Sequence, residues 1–378
     1  MLIVDAHEDL AWNMLTFGRD YTLSAAQIRQ AESGGPIPDL NDDALLGWPD
    51  YQRGRIAVVF ASLYVTPIRH QLGAWDRLSY ADVIQANRLY RQQVDAYERL
   101  ANDHADKFRL LYTRPDLEEV LAAWEADLPN PPQAEQGAHD NEISEGGSPV
   151  GLVISMEGAE GVRDPGELEE WWQRGVRLIG LAWSGTRFSG GTREPGPLTS
   201  QGFAMLEGMA SLGFGLDLSH MDEQAVLQAL DVYPGVIVAT HSNAQALVKD
   251  PSSNRHLSDR IIHGIIERDG VIGLVAYNGF LKAGWKRGDH RQEVSLDRLV
   301  AQIDYVCQLA GDARHAGIGT DFDGGFGLQS VPPSIDSIAD LQKLAAPLAE
   351  MGYTTEDIAA ILGANWLARL EKILPESA

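Results

Sequence analysis

Eight short apolar runs, rich in β-branched residues and separated by stretches of helical spacing, constrain this chain more than any other feature. They are LIVDAH (2–7), RIAVVFASLYV (55–65), VGLVISME (150–157), VRLIGLAW (176–183), FGLDLSH (214–220), GVIVATH (235–241), GVIGLVAY (270–277) and AGIGTD (316–321). Continuous apolar runs, as opposed to runs that alternate with polar residues, describe strands buried on both faces. Segments such as SYADVIQANRLYRQQVDAYERLAND and LDRLVAQIDYVCQLAG lie between them with helical periodicity, and several end in Gly, a common helix stop. Eight strands alternating with helices predict a single (β/α)8 barrel over residues 1–378. A doubly wound open sheet uses the same ingredients, but no Gly-rich phosphate loop follows the first strand to favour it.

Two stretches break the alternation. Residues 10–54 form an insertion between the first two strands, ending in the turn WPDYQRGR. Residues 125–149 are rich in Pro, Gly and acid and poor in apolar groups, which predicts an exposed or partly disordered loop. After the eighth strand, SIADLQKLAAPLAEMG and TTEDIAAILGANWLARLEKIL read as closing helices, the second with a capping sequence at its start.

A net charge of −24 would repel nucleic acid and anionic membrane surfaces. No apolar run approaches the roughly 18 residues of a membrane span, and Asp5 interrupts the first run too early for a signal peptide, so the expected location is the cytoplasm. The one cysteine, Cys307, excludes an internal disulfide and any multi-thiolate metal site. Its helical setting marks it as a buried apolar residue, not a nucleophile.

The strands also end in a pattern. His7 and Asp9 stand two residues apart on the first strand and project to the same side. Glu157 closes the third strand, His220 the fifth and His241 the sixth, and Asp321 follows the eighth. A barrel places all six on its C-terminal rim, where active sites are built. Three imidazoles and three carboxylates there make a ligand set for one or two divalent cations. Mixed nitrogen and oxygen donors without thiolate suit Zn²⁺, with Mn²⁺, Co²⁺ or Fe²⁺ as alternatives.

These motifs, taken in order, carry a resemblance. DAHEDLAW, FASLY, ISMEGAEG, LTSQGF, LGFGLDLSH, ATHSNAQAL, NRHLSD, GTDFDGG and EDIAAILGANWLA span most of the chain, and together they resemble the renal (membrane) dipeptidase family, peptidase family M19. The resemblance implies two zinc ions per chain, one on His7 and Asp9 and the other on His220 and His241, with Glu157 bridging them. It implies that Arg255 grips the substrate carboxylate and that Asp321 contacts the substrate and shuttles the proton. Asp323, two residues on, takes a structural role by default. It further implies a small dipeptide-like substrate and a homodimer. In such a site a shared water, acidified by two cations, attacks the amide carbonyl, and Asp321 passes the proton to the leaving amine.

One position departs from the family. Where the family has a His at the end of the fourth strand, this chain has Trp183, whose indole N–H can donate one hydrogen bond but cannot become cationic. Loss of an oxyanion donor costs on the order of 10²–10³ in turnover. That departure keeps a second reading open, a hydrolase of N-acyl amino acids, cyclic amides or lactones, and beyond it a metal-binding protein without catalysis. Arg187 and Arg193 are candidate polar contacts near Trp183. Arg255 has a plainer alternative, an ion pair with Asp259, and Asp5 and Ser219 are candidate supports for the ligands beside them, although strand alternation points them away from the cavity.

Overall fold

The computed structural model describes residues 1–126, 147–248 and 253–377. Eight parallel strands match the eight predicted runs, seven lying within them and β1 running one residue past its own: β1 (Ile3–Glu8), β2 (Ile56–Leu63), β3 (Val150–Met156), β4 (Val176–Gly180), β5 (Gly215–Asp217), β6 (Ile237–Val238), β7 (Ile272–Leu274) and β8 (Ala316–Ile318). Each strand pairs with its neighbour in sequence from β1 to β6, β1 also pairs with β8, and β8 with β7. Ala239 closes the ring: its N–H donates to Val271 O at 3.0 Å and its carbonyl accepts from Gly273 N at 2.8 Å. Closure rules out the doubly wound sheet. Every residue of β1, β2 and β3 is buried, which is why these strands lack alternation.

The strands are shorter than the apolar runs, and this changes how two site residues are held. β5 stops at Asp217 and β8 at Ile318, so His220 and Asp321 lie in the turns beyond. Both have left-handed backbones, with φ of 68° and 59°. A non-glycine residue in that region costs free energy that the surrounding structure must offset.

The insertion 10–54 is four short helices, Leu10–Phe17, Ala25–Glu32, Ile37–Asn41 and Trp48–Gly54, so WPDYQRGR is a helix and not the expected turn. It is tied to the barrel through Asp323, which is fully buried. The Asp323 carboxylate accepts hydrogen bonds from Leu45 N at 2.9 Å and Tyr21 Oη at 3.0 Å, and lies 3.1 Å from Arg19 Nη1. The Asp323 carbonyl accepts from Asn13 and Asn41. Its part is therefore the structural one expected of it.

Residues 127–146, the centre of the expected loop, lie outside the described residues. Its flanks are ordered by contact: Glu125 and Ala126 end the helix Arg114–Ala126, and Ser148 is buried and exchanges two hydrogen bonds with the Gln52 amide. Sequence periodicity missed the three-residue strand Phe108–Leu110, which pairs with the start of β3. It also missed two small ribbons over the rim, Thr66–Pro67 with Ser79–Tyr80 and Ser189–Gly191 with Glu194–Leu198.

The closing helices are present. The last is α-helical over Thr355–Ala359 and Asn365–Ile373 with a π-helical turn between them. Gly363 in that turn lies against β1, where a Cβ would come within 2.9 Å of Leu2 O. Trp366 is fully buried and donates its indole N–H to Ile318 O at 2.9 Å, holding this helix to β8. Among the described residues no helix is long and apolar enough to cross a membrane.

Candidate metal centre

β1 delivers two of the predicted residues. His7 lies within the strand, and Asp9 is the residue that caps the helix Leu10–Phe17. An aspartate there ordinarily accepts a hydrogen bond from the helix backbone. Asp9 makes no such bond, and its buried Oδ1 has no hydrogen-bond partner; neither has the buried Nε2 of His7. Buried polar atoms without partners are costly. Here the two stand 3.8 Å apart.

Glu157, just past β3, lies between two groups of residues. Its Oε2 is 3.6 Å from His7 Nε2, and its Oε1 is 2.9 Å from His220 Nε2 and 3.3 Å from His241 Nε2. Asp321 Oδ1 is 3.9 Å from His7 Nε2. The ligand-type atoms of His7, Glu157 and His241 all lie within 4.8 Å of one another, as do those of His7, Asp9 and Asp321. The structure thus brings all six predicted rim residues together.

Electrostatics in this cluster follow from burial. Burial, with the Glu157 carboxylate next in effect, pushes Asp9 up to about 7, and burial pushes Glu157 up to about 8. Asp321 is raised well above the usual carboxylate range by burial, and burial holds His220 and His241 well below theirs, as neutral imidazoles. Three crowded carboxylates and neutral imidazoles are what a divalent cation resolves, since coordination favours carboxylate and uncharged imidazole. The unpartnered His7 Nε2 and Asp9 Oδ1 fit the same group.

Three polar residues that were not singled out from the sequence hold the imidazoles. Thr240 Oγ1 lies 2.8 Å from His241 Nδ1 and donates to Asp217 Oδ2 at 2.5 Å. Thr192 Oγ1 lies 3.0 Å from His220 Nδ1. Each fixes the far ring nitrogen, so Nε2 faces Glu157. The available signal was a polar residue inside an apolar run, Asp217 in FGLDLSH and Thr240 in GVIVATH. Of the supports that were considered, Asp5 accepts from Thr320 N and Thr320 Oγ1 on β8's extension, and Ser219 Oγ accepts from His241 N at 3.0 Å. Neither side chain lines the cavity; for Ser219, next to His220, this follows from alternation, whereas Asp5, two residues before His7, shares that residue's side of the strand and is held by its bonds to Thr320.

A cavity of about 470 Å³ opens over the cluster, lined by Asp9, Glu157, His220 and Asp321 and also by Arg255, Arg193 and Trp183. Arg255 is buried; it donates to Ser242 Oγ at 2.9 Å and to His241 O at 2.6 Å, and its Nε has no partner. Asp259 is engaged elsewhere, accepting from Tyr305 Oη. Arg187 turns away to Glu160, with Nη1 to Oε1 at 3.0 Å, while Arg193 sits 5.7 Å over the Trp183 ring. Cys307 is buried, and burial pushes its thiol up to about 11, which leaves it without nucleophilic character.

A closed parallel barrel with this donor chemistry on its C-terminal rim is the architecture of the metal-dependent hydrolases. Within that class the chain belongs to the membrane dipeptidase family, peptidase family M19, whose profile matches residues 134–374, more than half its length. It is 32% identical over 234 residues to an uncharacterized protein in the pqqA 5′ region of Klebsiella pneumoniae, covering 59% of this chain and 82% of that one. It is 29% identical over 57% of its length to an uncharacterized dipeptidase of Schizosaccharomyces pombe, of which it spans only 52%. A solved metallopeptidase from Rhodobacter sphaeroides, liganded with a phosphinate mimic of the dipeptide L-Ala-D-Ala, has the same fold, with a TM-score of 0.75 and 23% identity over 99% of both chains.

Proposed function

We propose that this protein is a zinc-dependent dipeptidase that cleaves short substrates with a free C-terminal carboxylate. The observation that carries the reading is the convergence on Glu157, with one carboxylate oxygen facing His7 and the other facing His220 and His241. His7, Asp9 and one Glu157 oxygen would hold one cation; His220, His241 and the other oxygen would hold a second. Bound zinc would supply an acidified water and polarise the scissile carbonyl.

The remaining work falls to side chains. Arg255, buried at the cavity wall with its Nε unsatisfied, would pair with the substrate carboxylate and align the peptide bond over Glu157. Asp321, 3.9 Å from His7 Nε2 and lining the cavity, would take the proton of the attacking water and return it to the leaving amine. The Rhodobacter structure, by its ligand, supports a dipeptide as the substrate class.

Trp183 favours a second reading. It lines the cavity where the family resemblance expects a His, so a hydrolase of N-acyl amino acids, cyclic amides or lactones remains the competing assignment. Dipeptides tested beside C-terminally amidated and N-acylated analogues separate the two. The dipeptidase reading expects hydrolysis of free-carboxylate dipeptides, lost with a chelator, restored by Zn²⁺, and abolished in Asp321→Asn with metal content intact. Turnover confined to blocked substrates overturns it. A cytoplasmic location and a homodimer belong to the same proposal and are checked by fractionation and light scattering.

A further inference from the structure

We infer that this enzyme selects dipeptides with bulky apolar or aromatic side chains at both positions; the inference rests on the dipeptidase reading and names its substrate class. The cavity over the cluster has two aromatic walls. Tyr64 and Trp183, beyond β2 and β4, form one, with rings 5.3 Å apart. Tyr277 and Phe280 beyond β7, with Phe326 beyond β8, form the other; Tyr277 lies 5.1 Å from Phe280 and 4.6 Å from Phe326.

Arg255 assigns the walls to substrate positions. Its guanidinium stands 5.3 Å over the Phe280 ring. A carboxylate paired with Arg255 therefore brings the C-terminal side chain against Phe280, Tyr277 and Phe326. The peptide bond then lies towards Glu157, and the N-terminal side chain extends to Tyr64 and Trp183. At about 470 Å³ the cavity is far larger than two alanine side chains need, and ligand sites of this size are filled chiefly by apolar contact. Small side chains would leave both walls uncovered.

Charge within the cavity points the same way. Its carboxylates belong to the metal cluster, and the His70 ring at its edge is engaged by Glu194 Oε1 at 2.9 Å. Among the described residues, Arg193 is the one lining guanidinium apart from Arg255, and it is exposed at the mouth. Arg255 over Phe280 is committed to the substrate carboxylate, and Arg193, 5.7 Å over the Trp183 ring, stands at the mouth, so the aromatic groups that form the two walls are themselves uncharged.

The test is a series of Ala-Ala, Ala-Phe, Phe-Ala and Leu-Phe, each with both enantiomers of the C-terminal residue, assayed on the zinc-loaded enzyme. The expected result is a kcat/KM for Leu-Phe about tenfold or more above that for Ala-Ala, because each apolar group filling a pocket contributes a factor of this order. Phe280→Ala should reduce the Ala-Phe to Ala-Ala ratio about tenfold, mainly through KM, and Tyr64→Ala should do so for Phe-Ala. An enzyme that cleaves dipeptides but ranks Ala-Ala level with or above the larger ones overturns the inference and leaves the dipeptidase reading standing. Failure to cleave any dipeptide overturns that reading itself. Calorimetric titration of the zinc-loaded protein then decides the preference, and equal affinity for Leu-Phe and Ala-Ala overturns it.

Discussion

His220 Nε2 stands 2.9 Å from Glu157 Oε1, although the two residues follow β5 and β3, which are not neighbours in the sheet. Contact across the intervening strand requires both side chains to lean over the barrel mouth. The left-handed backbone at His220 belongs to the turn that carries its ring there.

Replacing Glu157 with Gln removes one of the two charged oxygens on which the histidines converge. Metal analysis of protein purified without chelators should find two equivalents in the wild type and a reduced content in the variant. Affinity should fall by no less than the roughly 10–100-fold seen when a group behind a ligand is lost. Unchanged metal content in Glu157→Gln would contradict the bridging arrangement.

Thr240→Val tests the support of His241. The substitution keeps the shape of the side chain but loses the hydroxyl between His241 Nδ1 and Asp217. Metal affinity is expected to drop about 10–100-fold, with little change in fold by circular dichroism. Thr192→Val should act similarly on His220.

Arg255 also donates to His241 O, so its removal will disturb more than substrate binding. The informative quantity is discrimination: Arg255→Met should erase most of the preference for free over amidated C-termini. A charge-assisted hydrogen bond contributes about 1.5–3 kcal/mol, or roughly 10–150-fold in that ratio. A ratio that survives the substitution would remove Arg255 from substrate binding.

Glu194 predicts a response to acid. Arg69 chelates its carboxylate at 2.6 and 2.7 Å, and this hydrogen-bonded pairing pulls Glu194 down to about 2 from its ordinary 4.5. With the folded value below the unfolded one, the stabilisation is complete above about pH 4.5 and fades as pH falls towards 2. The pair is partly exposed, so its worth is below about 1 kcal/mol, or a melting shift of no more than about 2–4 °C. Wild type and Glu194→Gln should differ by this amount at pH 6 and converge near pH 2 in thermal melts.

Strand number, strand order and all six rim residues were legible because each rests on local pattern. An apolar run that stops at a polar residue marks a strand end whatever the loops do. Other features were set by distant contact. The strand Phe108–Leu110 is too short for any period to register, and it exists because β3 offers an open edge at Val150–Leu152. The role of Asp323 depends on Tyr21 and Leu45, about 300 residues away in sequence and joined to it only by the fold. Trp48–Gly54 looked like a turn because Gly54 and Arg55 end it, whereas Pro49 opens it as a helix.

β1 pairs on one side with β2 and on the other with β8, so the seam between the first and last staves of the barrel runs directly beneath His7, Asp9 and Asp321. A ribosome must translate beyond residue 321 before that seam can be stitched. Until then the N-terminal pair of donors waits without its C-terminal companion, which makes the chemistry of this centre a late signal that the whole cylinder has been assembled.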